Sequence, residues 1–353
     1  MNKYIQGLSL LLVLLIAGAC STDFEIYAPT KEIRVAYCVL NPDANVQYLR
    51  IARAYQSDGD ALVYAAENDL SLKGLTVTLK GDGKTWMASE VDTIAKDSGL
   101  FARSQTIYGF VTDGSGVGKA KLLPGKTYQL EIGSPEDSSY ITAHTTIPAY
   151  PVLTGKLAIT FGSGTYKCLP RVGFDSGFPV SIKRSNGALG YEIRVIFSFE
   201  ENGNPRQLVW DANSLIRDNK GCNDGSGNIC YQIGDNAVIR AFGQEMPPGP
   251  NYTYYRKDSC VLNPGLSYLY PRSLIFEATA VDTFLSNYIY VNSPANGTDL
   301  NTSRPEYTNF TGNVQAAGVF GSYSLDSALT IMNPCSEWLL GLNGTPKPLS
   351  FCE

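Results

Sequence analysis

Beyond its first thirty or so residues this chain is written in twos: apolar side chains fall on every second position of short runs, and glycine, proline or asparagine closes each run. Leu75-Thr76-Val77-Thr78-Leu79-Lys80 places Leu75, Val77 and Leu79 on one face, and Gly81-Asp82-Gly83 turns the chain toward a second strand around Trp86. Tyr128-Gln129-Leu130-Glu131-Ile132 alternates in the same way after the turn Leu123-Pro124-Gly125-Lys126. The longest run, Tyr191 to Phe199, leads to Asn202-Gly203, a strong two-residue hairpin motif, and a partner strand through Leu208-Val209-Trp210. A period of two cannot keep one helix face apolar, so these stretches are committed to sheet. With 34 Gly, 19 Pro and 22 Tyr, the expected class is all-β, many short strands joined by tight turns.

A chain of 353 residues exceeds what one hydrophobic core usually spans, so two units are expected. Residues 32–150 carry strands at 32–41, 46–56 and 140–147, the last ending at Pro148, and read as an immunoglobulin- or fibronectin-like sandwich. Residues 151–353 read as a second antiparallel β-sandwich-like domain, with later strands at 229–242, 272–281 and 316–324. Residues 283–291 fit a short helix or a strand equally. Met246-Pro247-Pro248-Gly249-Pro250 cannot be a central strand.

The N-terminus has a different logic. Lys3 precedes the apolar stretch Leu8 to Ile16, which closes on Ala17-Gly18-Ala19-Cys20. Residues 5–19 are too few to cross a bilayer, which takes about 20 apolar residues. The expectation is a lipoprotein signal peptide over 1–19, acylation of Cys20 and a tether over 20–31. Each buried acyl methylene contributes about 0.8 kcal/mol, so two or three chains anchor the protein to outer-membrane lipid.

Eight cysteines leave seven once Cys20 is set aside, an odd number. Cys38 sits in the apolar run Val35-Ala36-Tyr37-Cys38-Val39-Leu40 and is expected to be the free thiol. Proximity suggests Cys222 with Cys230 and Cys335 with Cys352, which leaves Cys168 with Cys260, one of the fifteen connectivities that six cysteines allow, as suits an oxidising compartment. There is no Cys-x-x-Cys pair and one histidine in total, so no metal site and no cofactor are expected.

Catalytic groupings are sparse. His144 is the only imidazole and alternates away from Ile141, Ala143 and Ile147, onto the solvent face of its strand. Gly114-Ser115-Gly116-Val117-Gly118-Lys119 has Asp113 where a phosphate loop needs glycine, and reads as a hairpin loop. Glu200, Glu201 and Asp224 are available carboxylates without a pattern that pairs them. A net charge of −5, spread without blocks, offers nothing to nucleic acid. The remaining candidates are aromatic: Trp86 and Trp210 near hairpin turns, and Tyr252, Tyr254 and Tyr255 after the proline-rich loop, with flat faces suited to sugars or protein partners.

Ser21-Thr22-Asp23-Phe24-Glu25 resembles the acidic export signal that Bacteroidota lipoproteins carry beside the lipidated cysteine, with Asp23, Phe24 and Glu25 as its core. The strand Ile33 to Leu40, the stretch Leu122-Leu123-Pro124-Gly125-Lys126-Thr127-Tyr128-Gln129-Leu130 leading to Ala143 through Pro148, Tyr307-Thr308-Asn309 and Gly318-Val319-Phe320-Gly321 extend the likeness. Together they resemble a family of uncharacterised Bacteroidota outer-membrane lipoproteins. The resemblance implies an immunoglobulin-like sandwich followed by a second β domain, display on the outer membrane facing the cell exterior, and a gene neighbour encoding a TonB-dependent receptor. It implies no catalytic residues. The expectation is a non-enzymatic accessory or ligand-binding partner of such a receptor; the alternative is a surface glycan-binding or adhesive module.

Overall fold

The alternating runs pair into sheets in the computed structural model, which describes residues 33–54, 61–92, 105–114, 120–157, 160–161, 166–168, 171–174, 177–212, 215–223, 225–247, 252–253, 260–262, 274–293, 307–332, 336 and 340. Cys20, Asp23, Phe24, Glu25, Tyr254, Tyr255, Cys335 and Cys352 lie outside the described residues. The strands of the first half are β1 (Ile33–Leu40), β2 (Val46–Arg53), β3 (Thr76–Gly81), β4 (Lys84–Met87), β5 (Ser89–Val91), β6 (Ile107–Val111), β7 (Thr127–Gly133) and β8 (Tyr140–Thr146). There follow β9 (Val152–Thr154), β10 (Thr160–Phe161), β11 (Tyr166–Cys168), β12 (Arg171–Val172), β13 (Phe178–Lys183), β14 (Ala188–Glu201) and β15 (Asn204–Asp211). The last are β16 (Ile229–Ile233), β17 (Tyr252–Thr253), β18 (Cys260–Leu262), β19 (Leu274–Asp282), β20 (Thr311–Gly312) and β21 (Gln315–Met332). Short helices are α1 (Ala61–Glu67), α2 (Ala237–Glu245) and α3 (Thr283–Asn292). The fold is all-β, and among the described residues no helix is long and apolar enough to cross a membrane.

One ten-stranded sheet runs through both halves in the order β15-β14-β19-β21-β1-β2-β6-β5, with β12 and β17 added at its side. A five-stranded sheet, β20-β8-β7-β3-β4, faces its β1–β2–β6 end. Between these two sheets lies the first core, built from the inward residues of each alternation: Ala36, Cys38 and Leu40, Val77 and Leu79, Tyr128, Leu130 and Ile132. The second core lies under the β14–β19 end, where Tyr191, Ile193, Val195, Phe197 and Phe199 point inward against the sheet β16-β13-β9 and Val238, Ile239 and Phe242 of α2. The β14–β15 hairpin turns at Asn202 (φ 51°) and Gly203 (φ 81°), the pair of positive φ angles its Asn-Gly sequence favours.

The division expected at 150/151 falls between β8 and β9, yet β21 belongs to both cores: Phe320 packs in the first, Ala328 and Met332 in the second. Phe310, ahead of β20, also joins the first core. β21 pairs with β1 in parallel from Ile33–Gln315 to Leu40–Ser322, and with β19 antiparallel. Beside the antiparallel pairs that make up most of the sheets, β1–β21 is a parallel pair the sequence did not announce, because a partner reached across most of the chain leaves no local turn to read. The two strands approach so closely at Gly318 (φ 99°) that a Cβ there would strike the carbonyl of Ala36.

Residues 229–242 are not one strand. β16 stops at Ile233 and the chain turns through Asn236 (φ 55°) into α2. The apolar spacing of Val238, Ile239 and Phe242 is helical, and it overrides the strand-like composition before it. Residues 283–291, which fitted either state, are helical as α3. Asp282 caps that helix, its Oδ1 accepting from Leu285 N–H at 2.8 Å. Its Oδ2 accepts from the Thr145 hydroxyl at 2.6 Å, and Thr145 in turn lies 2.9 Å from Ser322 Oγ. All three residues are buried, so this polar joint links β8, β21 and α3 in the interior.

Candidate functional site

Two of the aromatic residues singled out from sequence are core residues, which corrects their reading as binding groups. Trp86 is 2% exposed, donates Nε1–H to the Ala120 carbonyl at 3.0 Å and packs on Tyr128. Its place in β4, opposite inward-facing Leu79, turns it inside despite the nearby hairpin turn. Tyr252 is 4% exposed, with its hydroxyl on the Pro247 carbonyl at 2.8 Å and its ring against Phe199. Trp210 is partly buried against the second core.

The cysteines follow a simpler pattern. Cys222 and Cys230 form a disulfide with Cα atoms 5.5 Å apart. Cys38 is a free, buried thiol, and burial pushes its pKa up to about 12. The backbones of Cys168 and Cys260 stand opposite each other in the β11–β18 pair. Among the described residues no group of three or more His, Cys, Asp or Glu side chains is placed to hold a metal ion.

His144 is on the exposed face of β8, as its alternation requires, where its ring meets Phe284 edge-on at 5.1 Å. Glu201 is tied to Arg206 at 2.6 Å, which leaves it a structural ion pair at the β14–β15 turn. Asp224 is outside the described residues.

The site that emerges lies on the outer face of the five-stranded sheet. Strand register sets three rows across β3, β7 and β8: Thr76–Gly133–Tyr140, Thr78–Glu131–Thr142 and Lys80–Gln129–His144. These are the polar halves of the same alternations that send Val77, Leu79, Leu130, Ile132, Ile141 and Ala143 into the core. The first two rows, with Gln129, bound an open cavity of about 370 Å³. Glu131 is its one carboxylate; it receives Lys80 Nζ at 2.5 Å, the Thr78 hydroxyl at 3.5 Å and Gln129 Nε2 at 3.3 Å. Gln129 Nε2 also reaches Thr142 Oγ1 at 3.2 Å. At the end of the groove Tyr140 is 52% exposed.

The β7–β8 connection that carries Tyr140 is held from several sides. Ser139 N–H donates to Asp137 Oδ1 at 3.0 Å, and Asn313 Oδ1 accepts from Tyr140 N–H at 2.7 Å. The Ser139 hydroxyl and N–H hold the Asp137 carboxyl down to about 2, with help from Ser134 and Arg34. Buried Arg34 donates Nη2 to Ser139 Oγ and thereby fastens this corner to β1.

A second exposed aromatic set lies on the outer face of the ten-stranded sheet. Tyr37 (36% exposed) and Tyr48 (44%) project from β1 and β2, and Tyr37 meets Tyr288 of α3 with ring centroids 5.9 Å apart. Both alternate outward between buried neighbours, a pattern already present in the sequence.

No known family model matches this chain, and no curated protein sequence matches it.

Proposed function

We propose that this chain is a non-enzymatic lipoprotein, acylated at Cys20 and displayed on the outer face of the outer membrane, that serves a TonB-dependent type receptor as accessory or ligand-binding partner. The groove of β3, β7 and β8 is the site at which it engages its ligand. One observation carries this reading: an open cavity of about 370 Å³, floored by hydrogen-bonded sheet, is ringed by threonine hydroxyls, a carboxamide and a carboxylate on the face turned away from the core. Such a surface presents directional hydrogen bonds held in place by strand pairing, which is the requirement for selective binding. The lining contributes a single carboxylate, whereas hydrolysis of a glycosidic bond takes two.

The test is purification of the full-length protein in mild detergent from its own outer membrane. An associated TonB-dependent receptor in the eluate supports the reading, and its absence after crosslinking refutes the partnership. Cys20→Ala releases the protein into the periplasm if the anchor is acyl. Alanine at Asp23 and Glu25 reduces cleavage by protease added to whole cells; undiminished cleavage removes the export argument.

A further inference from the structure

Gly133 is the residue in the groove that the fold does not explain. Of the glycines within the described strands, Gly81, Gly109, Gly190, Gly312, Gly318 and Gly321 would each press a Cβ to within 3.2 Å of a neighbouring atom, so close packing accounts for them. A Cβ on Gly133 meets nothing within 4 Å, and its φ lies outside the left-handed region. Neither crowding nor backbone geometry asks for glycine here. The position is hydrogen-bonded into β7 with Thr76 on one side and Tyr140 on the other, where glycine weakens a strand and any side chain would stand in the groove. What glycine provides is bare backbone at the floor, between the ring of Tyr140 and the polar row Thr78–Glu131–Thr142.

We propose that this notch binds a neutral carbohydrate, one pyranose ring resting on Gly133 with its apolar face toward Tyr140 and its hydroxyls toward Glu131, Gln129, Thr78 and Thr142. The inference rests on the groove being the ligand site. Aromatic face and polyol edge are the two features a sugar ring needs met at once. Charge decides between sugars: Lys80 stands 2.5 Å from Glu131, so the ionic groups of the site compensate each other and a uronic or sialic acid gains nothing. Peptide is disfavoured by topology, because β3, β7 and β8 each have sheet neighbours on both sides and leave no main-chain edge for an added strand.

The experiment titrates the detergent-solubilised full chain by calorimetry with maltohexaose, cellohexaose, laminarihexaose, xylohexaose and mannohexaose, and in a separate arm with lipopolysaccharide from the same cells. A free oligosaccharide that binds identifies an external glycan; binding of lipopolysaccharide alone identifies the cell's own surface polysaccharide. Gly133→Leu fills the notch and should lower affinity by more than tenfold without lowering the melting temperature. Tyr140→Ala should cost about tenfold, and Glu131→Gln should weaken binding with the fold intact. Silence across both arms, or a Gly133→Leu variant that binds as well as wild type, overturns the carbohydrate assignment. Receptor co-purification of Gly133→Leu separates the two levels of argument. If no sugar binds but that variant loses the receptor, the groove remains the working site and its ligand is not a glycan; if neither is affected, the groove itself is refuted.

Discussion

Replacing Asp282 tests the polar joint between the first sandwich and α3. The residue is 2% exposed, and its carboxylate caps the helix through Leu285 N–H and accepts from the Thr145 hydroxyl. Asp282→Ala orphans a part-buried N–H, at about 1–2 kcal/mol, and removes a cap worth about 1 kcal/mol. These overlap, since the cap bond is the orphaned one, and the carboxylate's desolvation cost disappears with it. Thr145 keeps Ser322 as a neighbour. The net expectation is a loss of about 2 kcal/mol, or about 3 °C in Tm for a body of this size. Asp282→Asn keeps an oxygen for Leu285 and should cost half as much or less. Burial pushes the Asp282 pKa above its ordinary value, with the hydrogen bonds from Thr145, Leu285, Ser322 and Phe284 opposing that rise. The folded state therefore holds this proton more tightly than the unfolded chain. Its contribution is fully present below the unfolded pKa of about 3.9 and is lost as pH rises through the folded value. Urea denaturation followed by tryptophan fluorescence should show wild type gaining on Asp282→Asn as pH is lowered from neutrality toward about 4. An alanine variant within about 0.5 kcal/mol of wild type, or a gap that ignores pH, would refute the reasoning.

Other outcomes follow from features already described. Native protein should leave Cys38 unreactive toward thiol reagents at mildly alkaline pH, and one thiol should titrate after unfolding without reductant; three or more would undo the disulfide assignment. Gly318→Ala should cost about 3 kcal/mol or more through backbone strain and collision with the Ala36 carbonyl, read as a collapse of the folded fraction in thermal melts. Replacing both Cys222 and Cys230 by serine opens a loop of sequence separation 8 and should cost roughly 2.5 kcal/mol in urea titration. Peptide mapping without reduction should recover Cys168 linked to Cys260, whose backbones are paired.

Strand identity was legible wherever one face is buried and the other is wet. β1, β3, β7, β8, β14 and β15 lie where the alternation places them, and Asn202-Gly203 turns as its sequence requires. Even the burial of Trp86 was available, since a two-residue turn at Asp82-Gly83 sets it opposite Leu79, an inward position. Proximity to a turn drew attention to the wrong property. Tyr252 gave no comparable clue, because its partner strand β14 lies far away in sequence. The groove was hidden for a related reason: Thr78, Glu131 and Thr142 are ordinary polar residues until register sets them side by side. Gly133 carries meaning only when the space above it is known to be empty. The β1–β21 pair was illegible because long-range parallel pairing has no sequence mark of its own.

That pair governs how this protein can come into being. Ile33 finds its neighbour at Gln315, so the opening strand of the first sandwich waits for one made near the far end of the described body. Loop closure over such a span is slow, and until it happens β1 offers an uncovered edge to whatever other chain is at hand. A polypeptide emerging from its N-terminus would therefore have to present residues up to about 322 before β1 could gain its second partner, and its exposed edge is open to aggregation in the meantime. Loss of Gln315–Met332 should consequently ruin both halves together rather than trim one of them.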